Sequence, residues 1–262
     1  ILYLPKTGED LLTDLTVNAK TYVGLDAFMT TFGGATFNLG AISSIMDRDG
    51  AIPSQLVYME DDFSGQSLLL GFPSELTYGI TINHGRNRIV VIFRGFPARN
   101  EDWITNVLVK ATDLELPSPT AETHTNYGKV REDLYAYLYH ETKRGKDGRI
   151  ISKAEEIMGK LQGLFITYPK YTLCVTGHSL GGSLSTLFAF RAAKDAGIPN
   201  KPVINVSFAS PFVGDQKFQH QFQDLERNGL IRHLRISNED DVVPLIPFAT
   251  IDLVPMLYKH VG

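Results

Sequence analysis

The segment over residues 171–182, Tyr-Thr-Leu-Cys-Val-Thr-Gly-His-Ser-Leu-Gly-Gly, constrains the fold of this chain more than any other. An apolar, strand-like run leads directly into Gly-x-Ser-x-Gly, and apolar residues at helical spacing follow it. A serine between such a strand and helix lies at a sharp turn, with its hydroxyl above the edge of the sheet. Gly177 and Gly181 flank it where a β-carbon would meet neighbouring backbone. The pattern predicts a nucleophile elbow with Ser179 as nucleophile; the simpler alternative is a tight strand-to-helix connection.

Strands and helices are predicted to alternate along the rest of the chain. The expected elements are a helix over 9–32, short strands over 50–82 with turns at 63–65 and 71–73, a buried strand over 88–95, a long helical region over 126–166 broken near 145–148, a strand over 171–175, a helix over 179–196, a strand over 203–208, a helix over 215–228, a strand over 231–236 and a polar loop over 237–244. This alternation predicts one α/β domain over 1–262 with a mostly parallel sheet. Functional groups then gather beyond the carboxyl ends of the strands.

The composition excludes several classes of protein. With 43% hydrophobic and 21% charged residues, the chain has the make-up of a globular domain. A net charge of −4 gives no reason to expect nucleic acid as a partner, and no apolar run reaches the length of a transmembrane segment. Cys174 is the single cysteine, so no internal disulfide forms and the compartment stays open between cytoplasmic and secreted.

Two short motifs are expected to have no functional role. Asn205-Val206-Ser207 matches the N-glycosylation pattern, but it lies on a predicted buried strand. The acidic cluster over 60–62 is expected to be a solvated turn rather than a metal site. We also expect no cofactor.

A serine nucleophile needs a base and an acid that orients the base. The serine hydroxyl does not ionise near neutral pH, so a histidine takes its proton and a carboxylate holds that histidine. In α/β-hydrolases the chain order is Ser, then Asp or Glu, then His. The loop over 237–244 follows Ser179 and a predicted strand, and it offers Glu239, Asp240 and Asp241. The residues alone leave the choice among these three open.

Several motifs together resemble the fungal-type class 3 lipases, over about residues 85–262. They occur in that family's order and are Phe93-Arg94-Gly95, His124 with Gly128, the segment 171–182, Phe208 through Gly214, and Asn238 through Pro244. The resemblance implies an α/β-hydrolase fold with helices on both faces of the sheet and a helical lid. In that family the acid stands immediately before x-Val-Pro, which implies Asp241 as the acid.

An oxyanion hole needs two backbone N–H groups, and one comes from the residue after the nucleophile, Leu180. The resemblance implies Phe96 as the second donor, directly after Phe93-Arg94-Gly95. Many relatives carry Ser or Thr there, whereas Phe96 can offer only its N–H, and Pro97 has no N–H to offer. The alternative role for Phe96 is a core aromatic under the loop.

Residues 99–114 resemble the lid of the same family. One helical face carries Trp103, Ile104, Val107 and Leu108. Such a helix covers the site in water and contacts a lipid–water interface when it is displaced. The alternative is an ordinary surface helix with its apolar face in the core.

The catalytic histidine does not follow from the sequence. Of seven histidines only His260 follows Asp241. We expect His178 to pack structurally, with its side chain away from the serine hydroxyl, and His233 to be a satisfied strand residue. Chain order favours His260 as the base. The resemblance instead matches Tyr258-Lys259-His260 to a non-catalytic Tyr-x-His and implies a base some tens of residues later. The base then lies beyond Gly262, or His260 serves in an atypical variant, or the protein has no base.

These observations lead to one main hypothesis and several alternatives. The main hypothesis is a serine carboxylester hydrolase, a triacylglycerol lipase that forms an acyl-enzyme on Ser179 and acts at a lipid–water interface. Phospholipase A1 and feruloyl-type esterase activity use the same machinery, because acyl-pocket shape cannot be read from sequence. The alternative from another class is a catalytically inactive, lipase-like binding protein, which a missing base would explain.

Overall fold

Six of the described strands form the central sheet, in the order Gln55–Glu60, Tyr78–Asn83, Arg88–Phe93, Thr172–His178, Val203–Phe208 and Ile231–Ile236. The computed structural model describes residues 55–60, 68–69, 72–73, 76–95, 110–117, 124–144, 150–247 and 258–261. The strands are β1 (Gln55–Glu60), β2 (Leu68–Leu69), β3 (Phe72–Pro73), β4 (Tyr78–Asn83), β5 (Arg88–Phe93), β6 (Ala111–Pro117), β7 (His124–Arg131), β8 (Glu141–Arg144), β9 (Ile150–Ser152), β10 (Thr172–His178), β11 (Val203–Phe208) and β12 (Ile231–Ile236). The helices are α1 (Glu132–Tyr139), α2 (Lys153–Thr167), α3 (Leu180–Lys194) and α4 (Gln216–Arg227), with a 3₁₀ turn at Val243–Leu245.

The half of the sheet that carries the elbow is parallel. β10 pairs in parallel with β5 on one side and with β11 on the other, and β11 pairs in parallel with β12. β1, β4 and β5 form antiparallel pairs at the opposite side of the sheet. The predicted strands over 88–95, 171–175, 203–208 and 231–236 are therefore confirmed, the second extended to His178. Their carboxyl ends meet at one edge of the sheet.

Burial alternates along the parallel strands. In β10, Leu173 and Val175 are fully buried, while the residues that alternate with them, such as Cys174, are half-buried. The buried residues face α3, because this helix contacts β10, β11 and β5. Of the two helical layers expected, the described residues contain the one on this face. The helix predicted over 9–32 lies outside the described residues.

Helix α3 is the most buried helix in the described part of the chain. Thirteen of its fifteen residues are buried, among them Leu184, Leu187 and Phe188. The ring of Phe188 in this helix packs against the ring of Phe93 on β5, with centroids 5.4 Å apart. The predicted helix over 179–196 and the predicted helix over 215–228 are both confirmed, within two residues at each end.

The long helical region predicted over 126–166 is only partly confirmed. Residues 124–131 form β7, which pairs antiparallel with β6, and only residues 132–139 and 153–167 are helical. Gly128 has a φ of 108°, in the left-handed region that a helix does not accommodate. Two short strands, β8 and β9, flank the predicted break. Helix α2 begins with a capping box, in which Ser152 and Glu155 bond each other's backbone N–H.

The strands expected over 50–82 are present as β1 to β4. One turn expected within this range, and the end of the predicted lid segment, differ from the prediction. Phe72 and Pro73, expected in a turn, form β3 opposite β2 in a two-stranded ribbon. The end of the segment 99–114, expected in the helical lid, belongs to β6. These residues are extended rather than helical because their backbone groups form hydrogen bonds with β7. The turn at 63–65 lies outside the described residues.

Candidate active site

Ser179 has the strained backbone of a nucleophile elbow. It follows β10 directly, precedes α3, and has φ 57° and ψ −126°, a conformation that a residue with a side chain rarely adopts. Its N–H donates to the carbonyl of Phe208 at 2.9 Å, and its own carbonyl accepts from the N–H of Gly182 at 2.9 Å. These bonds hold the turn between two strand ends. The serine is 5% exposed, so the elbow lies below the surface of the described chain.

The two glycines of the motif are required by close backbone approach. A β-carbon on Gly177 would lie 2.2 Å from the carbonyl oxygen of Gly181. A β-carbon on Gly181 would lie 2.3 Å from the carbonyl oxygen of Phe93, at the end of β5. Neither distance is possible between real atoms, so only glycine fits. The expectation for both positions is confirmed.

The N-terminus of α3 lies at the serine. Leu180 is the first residue of the helix, and N–H groups of a first turn have no acceptor within the helix. Their partial positive charge favours an anion at this position. Arg94 contacts the elbow as well, since its carbonyl oxygen would lie 2.9 Å from a β-carbon on Gly181. The segment that begins at Arg94 therefore starts beside Leu180.

Asp241 lies in the loop after β12, and one strand, β11, separates β12 from β10 in the sheet. Residues His178, Phe208 and Ile236 are in register across β10, β11 and β12. With strands about 4.8 Å apart, the ends of β10 and β12 are about 10 Å apart, which leaves room for an imidazole between them. Oδ1 of Asp241 accepts from the N–H of Val243 at 2.9 Å. This bond fixes the carboxylate at the start of the 3₁₀ turn, whereas Asp240 is exposed.

His178 lies close enough to Asp241 to respond to its charge. Burial lowers the pKa of His178, and the negative carboxylate of Asp241 opposes that shift. The residue belongs to the half-buried set of β10, on the sheet face opposite α3. The prediction of a packed rather than a catalytic side chain stays a prediction.

His260 is engaged at one ring nitrogen. The guanidinium of Arg235 donates to its Nε2 at 3.0 Å. The ring also stacks on Phe212, with centroids 3.8 Å apart. Burial, together with the positive charge of Arg235, lowers the pKa of His260 to about 4. The Nε2 atom, which accepts from Arg235, is therefore not free to take a serine proton.

His233 is only partly satisfied. Its Nδ1 lies 2.5 Å from Oδ1 of Asn205, but its Nε2 is buried and has no hydrogen-bond partner among the described residues. Burial lowers its pKa to about 4, and Arg235 adds to the shift. The expectation of a satisfied strand histidine is therefore wrong for one of the two nitrogens. The edge of its ring faces Phe222 on α4.

A buried polar cluster beneath the elbow was not predicted. It consists of Ser183, Ser185, Thr186, Asn205 and Ser210, all at most 3% exposed. The signal in the sequence is a set of hydroxyl residues in an otherwise apolar helix and an asparagine in an apolar strand. Asn205 is fully buried, which confirms that it is no glycosylation site as folded.

The remaining predicted site residues lie outside the described residues. These are the second oxyanion donor Phe96 and the four lid residues Trp103, Ile104, Val107 and Leu108. Within the described ranges, no group of three or more His, Cys, Asp or Glu side chains could hold a metal ion. No described helix has both the length and the apolar character needed to cross a bilayer.

The sequence matches several plant lipid hydrolases. A phospholipase A1-II 3 of Oryza sativa subsp. indica is 28% identical over 234 residues, which cover 85% of this chain and 52% of that protein. The chloroplastic galactolipase DONGLE of Arabidopsis thaliana is 26% identical over 255 residues, with 89% of this chain and 50% of that protein covered. The chain thus spans about half the length of these curated relatives.

Solved structures of fungal lipases have the same fold. The triacylglycerol lipase from Penicillium expansum aligns with a TM-score of 0.56 at 19% identity, covering 81% of this chain and 68% of that one. The Lip2 lipase from Yarrowia lipolytica aligns with a TM-score of 0.58 at 21% identity, covering 80% and 64%. These likenesses confirm the predicted α/β-hydrolase fold.

The family follows from the match to a family model. A family model described as Lipase (class 3) matches residues 90–251, more than half of the 262 residues of the chain. The matched range contains β10, the elbow with Ser179, and the loop with Asp241. By sequence and by fold, the chain belongs to the class 3 lipase family.

Proposed function

We propose that this protein is a serine carboxylester hydrolase that cleaves acyl esters of glycerolipids through an acyl-enzyme on Ser179. The observation that carries the proposal is the backbone of Ser179, with φ 57° between β10 and α3. A fold retains such strain where the side chain must be presented at one defined position. The elbow places the hydroxyl at the positive end of α3.

The proposed mechanism follows from these positions. The Oγ atom of Ser179 attacks the ester carbonyl carbon, and a histidine base takes its proton. The N–H groups of Leu180 and Phe96 stabilise the oxyanion, and Asp241 orients the base and stabilises its positive charge. The alcohol leaves with a proton from the base, and water then hydrolyses the acyl-enzyme. We do not assign the base to His260, because its Nε2 accepts from Arg235 and its pKa is lowered to about 4.

Two substrate classes are supported by different observations. Triacylglycerol is the substrate that the resemblance to fungal lipases implies. Phospholipid and galactolipid esters are supported by the names of the plant relatives, a phospholipase A1 and a galactolipase. Both classes present the same acylglycerol ester to Ser179, so the chemistry is common to them. Which of the two substrate classes is preferred depends on how the protein accommodates the head group.

A labelling experiment tests the chemistry. A fluorophosphonate probe should label the wild-type protein, and Ser179→Ala should abolish both labelling and ester hydrolysis. Tm of the variant should stay close to that of the wild type. A variant that kept more than about a tenth of the wild-type rate would show that Ser179 is not the nucleophile. Emulsified trioleoylglycerol, phosphatidylcholine and monogalactosyldiacylglycerol, compared at equal ester concentration, then rank the substrates.

We also propose that the face with Trp103, Ile104, Val107 and Leu108 covers the acyl pocket in water and binds a lipid surface when it opens. Each buried Å² of apolar surface contributes about 25 cal/mol, which readily offsets an opening cost of a few kcal/mol. Trp103→Ala should reduce activity on an emulsion more than activity on a soluble p-nitrophenyl ester. Equal losses on both substrates would show that the segment is structural.

A further inference from the structure

The first two turns of α3 carry hydroxyl side chains that are fully enclosed. Ser183 and Ser185 are 0% exposed and Thr186 is 1% exposed. Serine and threonine are unfavourable inside a helix, and a buried hydroxyl without a partner costs about 1–3 kcal/mol. Each of the three makes hydrogen bonds here. The helix that begins at the nucleophile is thus held by polar contacts where an apolar face would suffice for stability.

The contacts converge on one carbonyl group. Oγ of Ser185 donates to the carbonyl of Gly182 at 2.8 Å, and Oγ1 of Thr186 lies 2.9 Å from the same oxygen. The N–H of Gly182 in turn donates to the carbonyl of Ser179. Gly182 is therefore bonded both to the nucleophile residue and to the second turn of the helix.

Asn205 joins this group to the sheet. Its Nδ2 donates to the carbonyl of Val175 at 3.0 Å and to Oγ of Ser185 at 3.2 Å. Its Oδ1 lies 3.3 Å from Oγ1 of Thr186 and 2.5 Å from Nδ1 of His233. Both amide hydrogens and the amide oxygen are therefore engaged. The side chain thus connects β10, β12 and α3 from its position on β11.

We infer that Asn205 is a positioning residue for the elbow: its amide fixes the first turns of α3 against β10 and β12, and so places the Oγ of Ser179 and the N–H of Leu180. The inference rests on the proposed function. A buried polar group adds little net stability over an apolar one of the same volume, because its bonds to water are lost. What it adds is one defined position for the helix, and errors near 1 Å at a reacting group cost about 100-fold in rate.

The matched variants are Asn205→Leu and Tyr78→Phe. Leucine has the same branched shape as asparagine, although it is larger, and it makes none of the four contacts. Tyr78→Phe removes another buried hydroxyl, the one that donates to Glu156 at 2.8 Å and accepts from Lys160 at 2.6 Å between β4 and α2. It serves as the control for a general loss of a buried polar contact. Ser185→Ala removes the link that Ser185 forms between Asn205 and Gly182 and leaves the one through Thr186. It provides the test if Asn205→Leu does not fold.

Two readouts separate positioning from stability. On a soluble p-nitrophenyl ester, Asn205→Leu should lower kcat and the rate of fluorophosphonate labelling about 10-fold or more, with KM changed less than about 2-fold. In hydrogen exchange, a peptide covering 179–186 should lose about 10-fold protection, while a peptide covering 154–165 in α2 should not. Ser185→Ala should show the same pattern at smaller amplitude.

The outcomes distinguish the two proposals. The inference is overturned if Asn205→Leu keeps the wild-type exchange rates at 179–186, or if Tyr78→Phe lowers kcat equally at an equal loss of Tm. A wild-type protein that neither labels nor hydrolyses esters contradicts the proposed function and the catalytic part of this inference. In that case the hydrogen-exchange rates at 179–186 still show whether Asn205 holds the first turns of α3 in place.

Discussion

The carbonyl oxygen of Gly181 occupies the space that a β-carbon on Gly177 would need, at a separation of 2.2 Å. The atom in the way belongs to the backbone of the elbow, so it cannot move aside as a flexible side chain would. Together with the contact between Gly181 and Phe93, this relationship ties the turn to β5 as well as to α3.

Gly177→Ala should therefore destabilise the protein by about 3 kcal/mol or more, since overpacking against backbone is not relieved by a rotamer change. Gly159→Ala is the matched control. That residue is exposed in α2 with nothing within 4 Å of the added β-carbon, so the change should stabilise by about 0.5–1 kcal/mol. Denaturant unfolding of both variants measures the difference. Similar midpoints for the two would contradict the steric account.

Ser179→Gly should stabilise the protein while abolishing its labelling by a fluorophosphonate. Glycine adopts a φ of 57° without the steric cost that serine carries, so a gain of about 1 kcal/mol is expected. Ser179→Ala should not show that gain, because alanine keeps the β-carbon. Thermal unfolding of the two variants gives the comparison, and a glycine variant less stable than the alanine variant would argue against strain at this position.

Asp241→Asn should lower kcat far more than Asp240→Asn does. Asparagine keeps the oxygen that accepts from the N–H of Val243, so the loop should retain its shape while the charge is lost. Loss of the orienting carboxylate costs about four orders of magnitude in a related triad. Steady-state rates on a soluble ester measure the effect. Equal losses, or the reverse ranking, would remove Asp241 from the proposed triad.

Acid should destabilise the protein between pH 6.5 and about 4 through His260 and His233. Both have a folded-state pKa lowered from 6.5 to about 4, so the unfolded chain takes up protons in this window and the folded protein does not. Stability is thus lost as the pH falls from 6.5 to about 4. His260→Phe keeps a ring that can stack on Phe212 but cannot titrate, so the slope of unfolding free energy against pH should decrease. A slope equal to that of the wild type would contradict the shifted pKa of His260.

The parts predicted well are those whose signals are local in sequence. The bounds of β11 and β12 match the prediction, because each is a short run of strand-forming residues with clear ends. The elbow was predicted for the same reason, since strand, glycines, Ser179 and helix are contiguous. The family resemblance added the choice of Asp241, which the residues alone left open.

The parts predicted poorly depend on partners distant in sequence. Residues 124–131 form a strand because β6 pairs with them, and apolar spacing alone did not reveal that. The bonds of Asn205 depend on which strands lie next to β11, so its amide could not be assigned a role from sequence. His233 was expected to be satisfied, yet its buried Nε2 has no partner among the residues that the structure describes.

The contact between Gly181 and the carbonyl of Phe93 also has a consequence for the order of assembly during folding. β5 precedes β10 by a long stretch of chain, so the elbow cannot take its shape from neighbouring residues alone. Contacts between distant segments form late, because the loop between them must close first. The strained backbone of Ser179 can then appear only once β5 and β10 have paired. We therefore expect a nascent or partly unfolded chain to carry an ordinary serine, and the proposed nucleophile to form only when assembly is complete.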